Sequence, residues 1–386
     1  MRWPLVVTCL LYAGLGMAFP VSAVAAPRVP PVVRWHLPVP GWGEPAADDA
    51  AAYFLTRAHE VVSVDAAAGS IRWRSGTEGT GEVPTGTQVR LAAARVVVGD
   101  GGIVAFDGAS GRRLWRFDAP DGDDAGVFLG AADADLVVAG SPMGRVYAID
   151  AGSGALRWAR DVASGTRRVV FAPIRAGALI VASFSIFDGP LSGGLIAFDR
   201  TGKRRWMRRF DGNAGAAGPP LVLGNLVVVA RTDGRIEAVR AASGRRAWAV
   251  GPEVSPPREA GERDIRALAT RGEQLVATSL KGPIRSFDMR DRRQRWEYGD
   301  GPADAVALRV RAFGDQLYVP YSDGSLVAID LRTGRELWRT ADVGRSFDWP
   351  PGASATSIFA AAADSLWAFH RQPIETAPRQ ARGDDH

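Results

Sequence analysis

The chain has 386 residues, of which 46% are apolar and 23% charged, and its formal net charge is +5 at pH 7. This balance is typical of a soluble globular protein. The single cysteine, Cys9, lies in a segment with the features of a leader, so disulfide bonds and thiolate chemistry are excluded from the mature chain. Nearly all basic residues are arginines, and we therefore read the positive charge as a compositional bias rather than as evidence of function.

The N-terminal segment has the features of a secretory signal peptide. Arg2 supplies a positive charge, residues 5–18 are apolar, and Ala23 and Ala25 place small side chains at the −3 and −1 positions of a cleavage site. We predict a signal peptide over residues 1–25, a proline-rich approach segment over 26–31, and an exported mature chain. The alternative is that residues 3–26 remain as a membrane anchor.

A short phrase recurs along the rest of the chain: an apolar strand that ends in Asp, a turn with Gly, and then Trp. Clear copies read AFDGASGRRLW at residues 105–115 and AIDLRTGRELW at residues 328–338. Successive copies are 42–48 residues apart, a period typical of propellers built from four-stranded blades. The tryptophans of the seven copies are Trp73, Trp115, Trp158, Trp206, Trp248, Trp296 and Trp338.

Each position of the phrase has a physical role. The Asp accepts hydrogen bonds from turn amides, the Gly adopts the positive φ that closes a short hairpin, and the Trp places a flat face in the junction with the next blade. A small residue two positions before the Asp leaves room for a neighbour. The fifth copy has Arg240 in place of Asp, and the sixth has Arg292 in place of Gly. The most regular copies contain Asp107, Asp150 and Asp330, followed by Gly111, Gly154 and Gly334.

The two ends of the repeat region each carry part of a blade. Residues 33–37, around Trp35, resemble a fourth strand without its hairpin, and residues 358–370 resemble a hairpin without its tryptophan strand. Joined, they complete one more blade and leave no exposed sheet edge. We therefore predict an all-β fold, a single eight-bladed β-propeller of four-stranded antiparallel blades over residues 32–371, with a disordered tail over 372–386. Seven blades is the alternative, if the terminal strands do not pair.

The pattern Ala-x-Asp-x-x-x-Gly-x-x-x-Trp resembles the tryptophan-docking motif of the pyrroloquinoline-quinone (PQQ)-like β-propellers. One branch of this superfamily, the quinoprotein alcohol and glucose dehydrogenases, binds PQQ and Ca²⁺ over the central channel. The other is the BamB-type scaffold of the outer-membrane β-barrel assembly machinery, a periplasmic lipoprotein without catalysis, whose length and single-domain layout are closer to this chain. Thr8 precedes Cys9 where a lipobox has a small residue, so the resemblance implies a soluble periplasmic relative rather than a direct equivalent.

No catalytic, cofactor-binding or metal-binding residue is predicted. The repeated Asp residues occupy one structural position and are assigned to turns. The histidines share no local ligand spacing with another histidine, cysteine or carboxylate; they are His36, His59, His370 and His386. No cofactor is expected, and the alternative that the resemblance leaves open is PQQ with Ca²⁺.

Basic residues crowd the turn between the Asp and the Trp of several copies. Because a propeller places equivalent turns on one face, we predict a broken basic ring at one rim, suited to an anionic partner such as lipid head groups or an acidic protein surface. The alternative is a solvated, arginine-biased turn. Nucleic acid is not expected as a partner of an exported protein. The candidate rim residues are Arg112, Arg113, Arg204, Arg205, Arg245 and Arg246.

Together these features predict a monomeric, exported, non-enzymatic propeller that mediates protein–protein interactions in the cell envelope, in the periplasm or outside the cell. Outer-membrane protein assembly is the process that the resemblance implies, and no transmembrane span is expected after cleavage of the leader. Two alternatives remain open. One is a PQQ- and Ca²⁺-dependent periplasmic oxidoreductase, and the other is a propeller that binds a glycan or small ligand at its channel mouth.

Overall fold

The chain folds into a ring of eight antiparallel β-sheets. The computed structural model describes residues 30–79, 88–120, 126–162, 165, 167–250, 265–279, 283–299, 307, 309–340, 347 and 349–371. The predicted signal peptide, the approach segment before residue 30 and the predicted tail lie outside these residues. None of the described residues lies in a helix, and none therefore forms a helix able to cross a membrane.

Each sheet is one blade, and its strands are given from the first, which contacts the first strands of neighbouring blades around the centre, to the fourth at the outside. Blade 1 contains β31 (Gly352–Ala353), β32 (Ser357–Ala362), β33 (Ser365–His370) and β1 (Val33–Leu37). Blade 2 contains β2 (Trp42–Ala47), β3 (Ala51–Leu55), β4 (Glu60–Asp65) and β5 (Ile71–Gly76). Blade 3 contains β6 (Val89–Ala92), β7 (Arg95–Asp100), β8 (Gly102–Asp107) and β9 (Arg113–Phe117). Blade 4 contains β10 (Phe128–Ala132), β11 (Leu136–Gly140), β12 (Arg145–Asp150) and β13 (Leu156–Asp161).

The second half of the ring repeats this order, with one irregularity in blade 5, where two short segments share the place of the first strand. Blade 5 contains β14 (Arg168–Val170) and β15 (Ile174–Ala176), then β16 (Leu179–Ile186), β17 (Ser192–Phe198) and β18 (Arg204–Arg209). Blade 6 contains β19 (Leu221–Leu223), β20 (Leu226–Ala230), β21 (Ile236–Arg240) and β22 (Arg246–Val250). Blade 7 contains β23 (Ile265–Arg271), β24 (Gln274–Ser279), β25 (Ile284–Asp288) and β26 (Arg293–Tyr298). Blade 8 contains β27 (Arg311–Phe313), β28 (Gln316–Pro320), β29 (Leu326–Asp330) and β30 (Glu336–Arg339).

Strands from the two ends of the chain close the ring. The N-terminal strand β1 pairs with the C-terminal strand β33, with Trp35 opposite Ala368 and Leu37 opposite Leu366. The prediction of eight blades, closed by both termini, is confirmed, and the seven-bladed alternative is wrong. Closure leaves blade 1 held together by hydrogen bonds between the two ends of the described chain.

The middle strands are apolar on both faces because each blade is packed between two others. In β7 the run Val96-Val97-Val98 is fully buried, and in β12 so is the run Val146 to Ile149. A continuous apolar run of this length is the pattern of a strand covered on both sides. The fourth strands differ, since few of their side chains are buried, above all the tryptophan.

The hydrophobic core is divided into eight clusters, one at each junction between neighbouring blades. The junction of blades 4 and 5 joins Trp158 to Phe184 and Phe198. The junction that closes the ring joins Trp338 to Ile358 and Phe369. Stability therefore resides in contacts between blades, as expected of a repeat architecture.

Candidate functional site

At six of the eight junctions the tryptophan of one blade contacts the turn of the following blade. At six junctions the indole Nε1–H donates to a backbone carbonyl in that turn, over N–O distances of 2.7–3.1 Å. The same ring packs against the glycine of that turn, so the Trp of one copy and the Gly of the next are in direct contact. The six bonds run from Trp35 to Ala66, Trp73 to Gly108, Trp115 to Ala151, Trp158 to Arg200, Trp206 to Ala241 and Trp296 to Leu331.

The repeat glycines meet two requirements at once. Each has a φ of +67° to +79°, a region that favours glycine, and a Cβ added to any of them would lie 2.5–2.7 Å from the ring of the preceding blade's tryptophan. The sequence predicted the first requirement, and the second follows only from the assembled ring. These glycines are Gly69, Gly111, Gly154, Gly202, Gly244 and Gly334.

The small residue of the motif is the direct cross-strand partner of the tryptophan. Ala105 lies opposite Trp115, and Ala148 lies opposite Trp158. In both blades the register shifts immediately after this pair, which marks a bulge in the ladder. A small side chain here leaves the indole free to point toward the next blade.

The repeat aspartates accept hydrogen bonds from their own turns. Asp107 Oδ1 accepts from the Ser110 amide at 2.9 Å and from its hydroxyl at 2.7 Å, and these bonds hold the pKa of Asp107 below its usual value. Asp150 is held by Arg157 and by the Ser153 amide, which lower its pKa further. In the last blade the Asp330 carboxylate accepts from the turn amides of residues 332 and 333.

Two junctions depart from the pattern. Arg292 replaces the glycine of blade 7 and adopts a φ of +59°, so the backbone shape is retained without glycine. Trp338 faces blade 1, whose third strand β33 and fourth strand β1 are not joined by a turn, because they come from opposite ends of the chain. Its Nε1 atom is buried and has no hydrogen-bond partner among the described residues.

All six candidate rim arginines are exposed, at or just after the turns between the third and fourth strands of blades 3, 5 and 6. Three of them form ion pairs: Arg113 with Glu78, Arg205 with Asp199 at 3.8 Å, and Arg246 with Asp211 at 2.9 Å. Arg112, Arg204 and Arg245 form no ion pair with any residue that the structure describes. The rim is thus a mixed surface in which half of the predicted positive charges have carboxylate partners. Its role as a partner-binding surface remains a prediction.

The central channel contains a charged group that the repeat motif did not reveal. A cavity of about 490 Å³ is lined mainly by the first strands of the blades. Among its described lining residues, Glu44 is the one acid, and it faces three arginines from two other blades, Arg90, Arg309 and Arg311. First strands lack the Asp–Gly–Trp phrase, which explains why sequence reasoning missed them.

Glu44 is a buried carboxylate shared by two guanidinium groups. It is only 6% exposed, its Oε1 atom lies 3.3 Å from Arg90 Nη1, and it is in direct contact with Arg311. Burial by itself raises the pKa of a carboxyl group, but Arg90 and Arg311 outweigh it, so the pKa of Glu44 is lowered. The contact joins blades 2, 3 and 8 across the channel.

Aromatic side chains lie beside this charged group. The rings of Trp42 and Trp349 pack edge to face, with centroids 5.6 Å apart. Arg57 lies over the first ring at 4.4 Å and Arg309 over the second at 5.0 Å. Burial lowers the pKa of Arg309, and nearby Glu44 partly offsets that effect. An arginine retains its charge at neutral pH even so.

The absence of a cofactor stays a prediction, and so does the alternative of PQQ with Ca²⁺. Ca²⁺ requires six to eight oxygen ligands, with carboxylates prominent among them. No group of three or more His, Cys, Asp or Glu side chains in the described ranges could hold a metal ion. Among the described lining residues of the channel cavity, the one carboxylate is already paired with arginines, whose positive charge repels a metal cation.

Sequence and structure comparisons agree on the kind of propeller. A family model described as outer membrane protein assembly factor BamB matches residues 32–250, 173–299 and 258–347. BamB of Bordetella pertussis (strain Tohama I) is 25% identical over 255 residues, which are 63% of this chain and 61% of that protein. The chain thus spans about three fifths of the length of this relative.

Solved structures with the same ring include proteins of different activity. BamB from Moraxella catarrhalis has a TM-score of 0.65 at 17% identity, over 88% of this chain and 97% of that one. Quinohemoprotein alcohol dehydrogenase ADHIIG from Pseudomonas putida HK5 has a TM-score of 0.64 at 14% identity, over 90% of this chain and 78% of that one. Likeness at this identity shows the fold alone. The family match extends over most of the propeller and distinguishes between these two kinds of protein. By this match the chain belongs to the BamB family of PQQ-like β-propellers.

Proposed function

We propose that this protein is an exported, non-enzymatic scaffold of the cell envelope that takes part in the assembly of outer-membrane proteins. Membership of the family described as outer membrane protein assembly factor BamB is the observation that carries the proposal. A propeller fold alone does not support it, because the same ring hosts unrelated functions. The leader predicted over residues 1–25 supports export to the periplasm.

The architecture suits a scaffold. Eight apolar junctions hold the blades in a closed ring, and the turns between strands form two broad faces around it. The repeat carboxylates, which an enzyme could use as bases, already accept turn hydrogen bonds. A rigid ring presents partner-binding turns at little entropic cost on association.

The test is a gene deletion in the source organism, complemented with the full-length wild-type chain. Under the proposal, the amount of folded outer-membrane proteins falls on deletion and returns on complementation, and photo-crosslinkers placed at exposed turn positions of the chain capture an outer-membrane assembly component. Crosslinkers at buried junction positions are the matched control. Unchanged levels of folded outer-membrane proteins together with no such crosslink would overturn the proposal.

The oxidoreductase alternative has a separate test. Purified protein is titrated with PQQ and Ca²⁺ and followed by absorbance, melting temperature and dye-linked oxidation of alcohols and sugars. A scaffold gives no oxidation at any ratio of cofactor to protein. Stoichiometric uptake of the cofactor with substrate oxidation would replace the scaffold by an enzyme.

A further inference from the structure

The channel cavity carries more positive than negative charge. Three arginines and one glutamate line its described surface, which leaves an excess of two positive charges. Arg90 and Arg311 are 27% and 33% exposed, and the space that they face is the cavity. Like charges confined in a partly desolvated site repel one another more strongly than they would in open water. The arrangement therefore gains stability from any anion that enters.

A purely structural role does not account for all three arginines. Glu44 is already bound by Arg90 and Arg311, and Arg90 also donates to Gln88 Oε1 at 2.5 Å. Arg309 lies over the Trp349 ring but makes no hydrogen bond or ion pair with any residue in the described ranges. Its guanidinium donors are thus available to a molecule in the cavity, whereas Arg90 also donates to the Val89 carbonyl at 3.1 Å and Arg311 to the Pro351 carbonyl at 3.5 Å.

The rest of the described cavity wall is mainly apolar, with Gln88 and Thr270 as its other polar side chains. Phe128, Phe171, Leu221 and Leu268 are partly buried and line it together with Val310. The volume of about 490 Å³ lies within the range of small-ligand sites, which are mostly apolar with a few converging polar groups. Arginine is the side chain best suited to planar acidic groups, which it can bind through two parallel hydrogen bonds.

We propose that the channel binds a small organic dianion, with an aromatic or aliphatic body against the apolar wall and two acidic groups on Arg90, Arg309 and Arg311. Glu44 holds two of these arginines in place and limits the net charge. This inference does not depend on the scaffold function, because it concerns a ligand of the isolated ring and is tested without any partner.

The experiment is isothermal titration of the purified full chain with probes of one ring size and different charge. Isophthalate carries two carboxylates, benzoate carries one and benzamide none, while phenyl phosphate replaces carboxylate by phosphate. The expected order is isophthalate above benzoate above benzamide, with phenyl phosphate showing whether the site prefers phosphate to carboxylate. Removal of each carboxylate from the probe should weaken binding about 10- to 100-fold.

Variants make the proposal specific to the channel. Arg90→Met and Arg311→Met should each weaken isophthalate binding, whereas Glu44→Gln should strengthen it, because one repelling charge is removed. Arg112→Met and Arg245→Met are matched controls on the outer rim that remove the same charge and should leave the affinity unchanged. Circular dichroism identifies variants that do not fold, and the Glu44→Gln result stands independently of the two arginine variants.

Two outcomes would overturn the proposal. In one, isophthalate binds no tighter than benzamide to the wild-type chain. In the other, the channel variants bind it as the wild type does, which would place the anion elsewhere on this basic protein.

Discussion

The outer junctions and the central channel differ in how often their contacts recur from blade to blade. At the outside, six of the eight junctions repeat one contact, an indole that covers a positive-φ glycine and donates to the next turn. The channel group does not recur around the ring in this way: Glu44 of blade 2 contacts Arg90 of blade 3 and Arg311 of blade 8, although the two arginines hold equivalent positions in their first strands. Repetition is what a ring needs for uniform packing, whereas a ligand requires residues that differ from blade to blade.

The junction of blades 8 and 1, which closes the ring, has only part of the repeated contact. Trp338 is more buried than the other docking tryptophans, at 1% exposed, and packs against Phe369 of blade 1. It lacks the turn glycine and the carbonyl acceptor, since the two strands that would flank that turn come from opposite ends of the chain. The apolar contact is present here without the polar one, so a junction can form without the hydrogen bond.

The largest expected effect on stability is at the repeat glycine, whose two roles are its positive φ and its close contact with the indole. Gly111→Ala places a Cβ 2.5 Å from the Trp73 ring at a φ of +71°, whereas Gly101→Ala has nearly the same φ, +72°, and open space around it. We expect a loss of about 3 kcal/mol in unfolding free energy for the first and about 1 kcal/mol for the second. Urea unfolding measures both. Equal losses would mean that the backbone alone selects glycine.

The next effect concerns the channel. Glu44→Gln leaves Arg90 and Arg311 without their carboxylate and should cost about 2 kcal/mol, less than a fully dry ion pair because both arginines are about one third exposed. The pKa of Glu44 is lowered in the fold, so its contribution is present above about pH 4.5 and is lost as pH falls through the folded value.

The measurement is urea unfolding of wild type and Glu44→Gln at about pH 7 and about pH 3. The difference in stability between the two proteins should shrink at the lower pH, because the unfolded wild type then binds a proton that the folded carboxylate, with its lowered pKa, binds less readily. A difference that stays constant with pH would show that Glu44 acts by shape rather than by charge.

A smaller effect compares two tryptophans. Trp115→Phe removes the 3.0 Å bond to the Ala151 carbonyl, whereas Trp338→Phe removes no hydrogen bond among the described residues. The first should therefore cost about 1 kcal/mol more in unfolding free energy than the second. Trp338 is the more buried ring, so a larger loss at Trp115 can come only from the hydrogen bond. A larger loss at Trp338 would contradict this account.

The smallest effect on stability is expected at the rim. Reversing Arg112, Arg113, Arg245 and Arg246 to Glu should change the unfolding free energy by less than about 1 kcal/mol, since exposed charges contribute little. The same variant should lose any salt-sensitive envelope partner in a pull-down. If the partner is retained, the rim is not its binding surface, and the turns of the opposite face become the candidates.

Much of the ring could be predicted because its determinants are local. The Asp, Gly and Trp of one copy lie within nine residues, and their spacing alone predicted hairpins, blade number and closure by Trp35. The channel could not be predicted in this way. Arg90 lies 46 residues from Glu44. Arg311 is in blade 8, which the closing blade 1 separates from the blade of Glu44. No local spacing in the sequence relates these residues.

The sequence by itself predicted eight blades, with seven as the alternative, because a period of 42–48 residues leaves one tryptophan strand at the start of the repeat region and one hairpin at its end. It also determined the conformation of the turns, since Asp and Gly act within their own hairpin. Only the tertiary structure decided that each glycine supports the preceding blade's indole, that Trp338 lacks a hydrogen-bond acceptor among the described residues, and that three arginines meet one glutamate in the channel. These contacts join residues of different blades, and their geometry exists only once the ring has closed.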